Sequence, residues 1–118
     1  MLTIGARQMD ALLASQIERA DGRLVAYARG RFPDFCADLA DDVLRNLASR
    51  IRIEARHYGL AREEEVATFL DLALMYGEDF PWRDWARHYL DRTEDTPSAR
   101  LAALARAAGL DDAILRGS

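Results

Sequence analysis

The stretch from Val66 to Tyr76 limits the possible folds of this chain more than any other. Val66, Phe69, Leu70, Leu72, Ala73, Leu74, Met75 and Tyr76 cover nearly the whole circumference of a helix, the pattern of a helix buried on most sides. Thr68 and Asp71 interrupt the run, and it is too short to span a bilayer. Glu63, Glu64 and Glu65 place negative charge in its first turn, and Gly77 supplies a stop. A helix of this kind needs neighbours on several sides. The sequence therefore predicts an all-α fold, a compact single-domain bundle of about five or six helices over residues 1–118 with the fourth helix central.

The flanking sequence supplies those neighbours. Alanine is abundant, and valine, threonine and isoleucine are scarce, a bias toward helix over strand. A first helix is expected from about Ala6 to Arg29, opened by Thr3 or a turn at Gly5, with Met9, Leu12, Leu13, Ala20, Leu24 and Tyr27 at helical spacing. Gly22 within it marks a bend or a close helix contact. Phe32-Pro33 ends this helix, and Pro33 to Leu39 forms a short second one. Asp41 and Asp42 start a third that reaches Tyr58 and stops at Gly59, with Val43, Leu44, Leu47, Ile51 and Tyr58 on one arc and Arg45, Arg52 and Arg56 opposite. Glu78 to Pro81 reads as a loop, and Pro81 opens a fifth helix carrying Trp82, Trp85 and Tyr89 on related faces. Thr96 caps a sixth with Pro97 in its first turn and Leu101 and Leu104 inward; it ends near Gly109, and the residues beyond are expected to fray. No internal repeat or long linker divides the chain.

Charge and cysteine content narrow the function classes. Every basic residue is arginine, which reads as coding bias, and the formal net charge is −4. A polyanion partner calls for clustered positive charge, so no nucleic-acid partner is expected. The rival reading of the Arg45, Arg52 and Arg56 face is a recognition helix in a transcription regulator; an ordinary solvated face accounts for it equally well. The single cysteine, Cys36, fits a reducing compartment. The first residues carry neither a basic leader nor a long apolar run, so a cytoplasmic protein without membrane association is expected.

No motif with catalytic or metal-binding spacing is visible, and the chain is read as neither an enzyme nor a cofactor protein. His57 and His88 lie far apart in sequence, and Cys36 with a distant histidine is weaker as a nucleophile–base pair than as a small core hydrophobe. Asp71, in the middle of Phe69-Leu70-Asp71-Leu72-Ala73-Leu74, needs a partner. An ion pair with an arginine of a neighbouring helix is favoured over a perturbed carboxylate in a cleft, and Glu54 on the apolar arc of the third helix invites the same two readings. The clearest candidate surface is aromatic. Phe80, Trp82, Trp85 and Tyr89 lie close together in sequence, and aromatic side chains are enriched among interface anchors. These four residues are the expected partner-binding set.

Several segments together carry a family likeness: Leu2-Thr3-Ile4 with Arg7 to Leu12, Arg31-Phe32-Pro33 to Cys36, Arg56-His57-Tyr58-Gly59-Leu60, and Phe69 to Phe80. Over roughly Leu2 to Trp82 the chain resembles a family of small helical proteins encoded beside type VI secretion spike, tip and effector genes in proteobacteria. Members usually carry a longer acidic loop before the proline-tryptophan pair than Phe80-Pro81-Trp82 allows. The resemblance implies a cytoplasmic adaptor or co-chaperone whose protein partner is an effector, its loading chaperone or a spike component. A second expectation, from another class, is an immunity or inhibitor protein that neutralises a neighbouring toxin.

Overall fold

A computed structural model describes residues 2–109, with side chains from Asp10 onward, and every regular element in it is helical. Six α-helices follow in chain order among these residues: α1 (Leu2–Arg31), α2 (Pro33–Cys36), α3 (Asp41–His57), α4 (Glu63–Tyr76), α5 (Asp84–Leu90) and α6 (Pro97–Ala107). A 3-10 turn, Phe80–Trp82, lies between α4 and α5. The expectation of a frayed tail past Gly109 lies outside the described residues. The chain divides into two compact units, with the boundary between Ser49 and Arg50 inside α3.

The first unit is built on the α1–α2 corner. Pro33 cannot donate a backbone hydrogen bond, and Phe32 leaves the helical region with φ −129° and ψ 62°. One side chain holds the resulting corner together: the Arg29 guanidinium donates to the Cys36 carbonyl at 3.2 Å, the Leu39 carbonyl at 3.1 Å and the Asp41 carboxylate at 2.6 Å. The Cys36 carbonyl, which also accepts from the Leu39 amide at 3.1 Å, and the Leu39 carbonyl thereby gain a charged donor. Leu24, Val25, Ala28, Cys36, Leu44, Leu47 and Ala48 are buried. Gly22 leaves α1 unbroken, and a Cβ there would meet the Arg45 guanidinium at 3.4 Å. It therefore marks a close approach and no helix break.

Four expectations for this region are corrected. Helix α1 begins at Leu2 and absorbs Gly5, and α2 ends at Cys36, short of Leu39. Among the described side chains of the expected α1 stripe, Leu24 is buried and Tyr27 half-buried, whereas Leu12 is 57% exposed and Leu13 is exposed too. Val43, placed by periodicity on the inner arc of α3, is exposed as well, because it lies in the first turn, where fewer neighbours reach the helix.

In the second unit α4 is the most deeply buried helix, as its all-round apolar pattern requires. Phe69, Leu70, Asp71 and Leu72 are all within 1% of complete burial. Met75 and Tyr76, counted from sequence among its covered residues, are 45% and 37% exposed, since the last turn runs beyond the packed region before Gly77. Glycines with positive φ end α3, α4 and α6 in this unit, and a hydroxyl cap starts α6. At the end of α3 the Leu60 amide donates to the Ala55 carbonyl at 2.9 Å and the Gly59 amide to Arg56 at 2.9 Å, which is the Schellman arrangement, with Leu60 buried behind it. Gly77 ends α4 with φ +103°. Thr96 Oγ1 accepts from the Ala99 amide at 3.1 Å and starts α6, while Ser98 of that first turn donates to Glu65 of α4. Leu101, Leu104 and Ala105 then face inward.

Gly59 has φ +82°, and a Cβ there would sit 2.8 Å from Pro97 Cγ. Gly59→Ala is therefore expected to lower stability by about 1–3 kcal/mol, since both the left-handed backbone and the contact resist a side chain. Gly30→Ala, in α1 with no atom within 4 Å of its Cβ position, should be neutral or stabilising by up to about 1 kcal/mol. Urea unfolding midpoints of the two variants, compared with the parent, check both signs.

Candidate partner-binding surface

The four aromatic residues singled out in the sequence are separated by depth. Pro81 does not open α5: it sits in the 3-10 turn, and the helix starts at Asp84. Three residues per turn, followed by the extended backbone of Arg83 (ψ 146°), send successive side chains in different directions. Phe80 goes inward and is completely buried, its ring 4.8 Å from that of Phe69 and 6.5 Å from that of Trp85. As a surface contact it is a correction to the expected set, because no part of it reaches the exterior. Trp82, two residues on, is 63% exposed, the most exposed large apolar side chain among the described residues.

Trp85 and Tyr89 lie one turn apart on α5 and are half-buried. Trp85 packs edge-to-face on Tyr76, with centroids 5.1 Å apart and planes at 63°. With Tyr89, Ala107 at the end of α6 and its C-cap Ala108, these two rings line a recess of about 370 Å³. The Tyr76 hydroxyl donates to the Ala108 carbonyl at 3.0 Å and fixes one side of it. Tyr76 was not expected in this surface. Its sequence signal was present in its position next to Gly77, where a helix stops and neighbours thin out.

Arginines already lie over these rings. The Arg87 guanidinium is 5.6 Å from the centre of Trp82, and that of Arg92 is 5.5 Å from the centre of Tyr89, within the range of cation–π attraction. Arg87 also pairs with Asp91 at 3.3 Å, and Arg92 contacts His88 Nε2 at 2.9 Å. The polar groups around α5 are thus extensively paired with one another.

The remaining candidates fall elsewhere. Cys36 is buried in the first unit, whereas His57 and His88 belong to the second, exposed at the end of α3 and on α5. Among the described residues no group of three His, Cys, Asp or Glu is placed to hold a metal ion. Asp71 is completely buried and has a polar or electrostatic contact. Glu54 is half-buried, and its Oε1 atom is buried without a hydrogen-bond partner among the described residues. It lines a depression of about 310 Å³ with Arg50, Ile51, Ile53 and Glu78, of which Asp71 is not part. Burial, followed by the negative charge of Glu54, raises the Tyr58 phenol above its ordinary range. A larger depression of about 610 Å³ is lined in part by His57, Tyr58, Asp91 and Arg100. Asp91 there is held by Arg87, and Arg100 donates to the Arg92 carbonyl at 3.0 Å. Of the α3 arginines, Arg45 and Arg56 are exposed, and Arg52 is half-buried and engaged.

No family model, curated protein or solved structure matches the chain.

The second unit carries one two-pronged ion pair outside the aromatic region. Arg50 donates to both oxygens of Glu78, at 3.0 and 2.9 Å, and this bonding holds the Glu78 carboxyl below its usual range. Because the folded-state value is the lower one, the associated stability is present above the unfolded carboxyl value and disappears as pH falls through the folded value. Both side chains are about half exposed, so the pair should contribute only about 0.2–1 kcal/mol at neutral pH. Glu78→Gln is expected to remove that increment at pH 7 and to leave stability unchanged at pH 2–3, read from urea midpoints at the two pH values.

Proposed function

We propose that the chain is a noncatalytic protein-interaction module, a cytoplasmic type VI secretion accessory that acts as an adaptor or co-chaperone in effector loading. The secretion context rests on the family resemblance of the Leu2 to Trp82 segment. The interaction role rests on one observation: Trp82 stands in solvent on a turn whose preceding residues, Phe80 and Pro81, are buried. Tryptophan is enriched among the residues that anchor protein interfaces, because it carries a large apolar area with a polar tip. A ring held on a rigid turn also loses little conformational entropy on binding. Consistent with a role outside membranes, no helix among the described residues is long and apolar enough to cross one.

The test is affinity capture of the tagged protein from a bacterium expressing the secretion cluster, with bound proteins identified by mass spectrometry. A spike, effector or chaperone subunit should be recovered. Trp82→Ala should weaken its retention by about thirtyfold, the effect of losing an interface anchor, with helicity and melting temperature unchanged. Phe80→Ala should instead unfold the second unit, at a cost of about 3–5 kcal/mol. Recovery of a toxin alone, together with protection of cells from it, would assign the immunity role instead.

A further inference from the structure

We propose that the recess between α5 and the end of α6 is an arginine-binding pocket, which takes the guanidinium head of an arginine presented by the protein partner. This rests on the interaction-module reading above and names the chemistry of the contact. Three observations carry it. Tyr76 and Trp85 meet at 63° with their centres 5.1 Å apart, and Tyr89 completes the aromatic lining. A cation over the face of any ring on this wall is attracted by the ring quadrupole. The other lining residues, Ala107 and Ala108, are the last residue of α6 and its C-cap, where the aligned peptide dipoles place partial negative charge. Among the described residues none that lines the recess carries a formal charge, so an entering cation displaces no ion pair among them. The volume, about 370 Å³, suits a side-chain head group and lies near the lower end for ligand pockets.

Guanidinium is favoured over ammonium for two reasons. A planar, weakly hydrated guanidinium stacks on aromatic rings at a smaller desolvation cost than an ammonium. The same surface already holds two of them, Arg87 over Trp82 and Arg92 over Tyr89. Neither arginine lines the recess. The formal charge of −4 on the chain also favours approach by a basic partner.

The experiment is a titration of the full-length protein with N-acetyl-arginine methylamide, followed by NMR at the two tryptophan indole resonances. The uncharged citrulline analogue, of nearly the same shape, is the control. The arginine probe should bind saturably and shift Trp85 more than Trp82. The citrulline probe should bind about fivefold more weakly, and Tyr89→Leu should weaken the arginine probe by a similar factor while leaving the melting temperature within a few degrees. Tyr76→Leu, which keeps both indole reporters and replaces a 37% exposed residue, serves as a second variant if Tyr89→Leu loses the fold. Equal binding of the two probes would overturn the proposal in favour of an apolar groove. Absence of saturable binding, or a response confined to Trp82, would overturn it outright. Failure here with a partner still captured through Trp82 would leave the interaction role standing; arginine binding with no partner captured would leave the pocket and remove the role.

Discussion

The contact between Phe69 and Phe80 underlies the candidate surface. Phe69 is presented by the most buried helix of its unit, and Phe80 packs on it at 4.8 Å with its whole side chain removed from water. That burial pins the short 3-10 turn, which has little intrinsic stability. With Phe80 fixed inward, Pro81 rigid and Arg83 extended, the intervening Trp82 is left facing solvent. Trp85 reaches back to the same cluster through both Phe80 and Tyr76. One buried ring thus positions two tryptophans with different degrees of exposure.

Arginine plays three different parts in this chain. At the α1–α2 corner Arg29 acts as a multiple donor to the Cys36 and Leu39 carbonyls and the Asp41 carboxylate. Arg50 forms a two-pronged pair with Glu78. Arg87 and Arg92 lie over aromatic rings. All three uses exploit the planar fork of donors and the broad, weakly hydrated face of guanidinium. The Arg45, Arg52 and Arg56 arc, which stood out in the sequence as a charged face, carries less meaning once Arg45 lies beside Gly22 and Arg52 is engaged within the protein.

Asp71 shows how a buried carboxyl group fits an apolar helix. It lies among Phe69, Leu70 and Leu72 at the most enclosed part of α4, and it is not left without a polar or electrostatic contact. Glu54 differs, because one of its oxygens is buried without a hydrogen bond among the described residues while its charge bears on Tyr58. The two carboxylates do not share the depression that Glu54 lines, so the arrangement that would have suggested acid–base chemistry is not formed there.

Much of the helical layout was legible in the sequence because its punctuation is local. Pro33, Gly59, Gly77, and Thr96 with Pro97 act through steric limits and hydrogen bonds to nearby residues, and the bounds of α4 and α6 follow from them. The inner faces of α4 and α6 were equally legible, since apolar periodicity records burial directly. Periodicity fails where a pattern continues past the packed region, as at Leu12, Leu13, Val43, Met75 and Tyr76. The sequence placed four aromatic residues close together but could not rank their depth. That ranking depends on Phe69, eleven positions before Phe80, and on Ala107 and Ala108 at the end of α6. Only the tertiary structure brings those residues together, and so only it decides that Phe80 belongs to the core, Trp82 to solvent, and Trp85 with Tyr76 and Tyr89 to the wall of a recess.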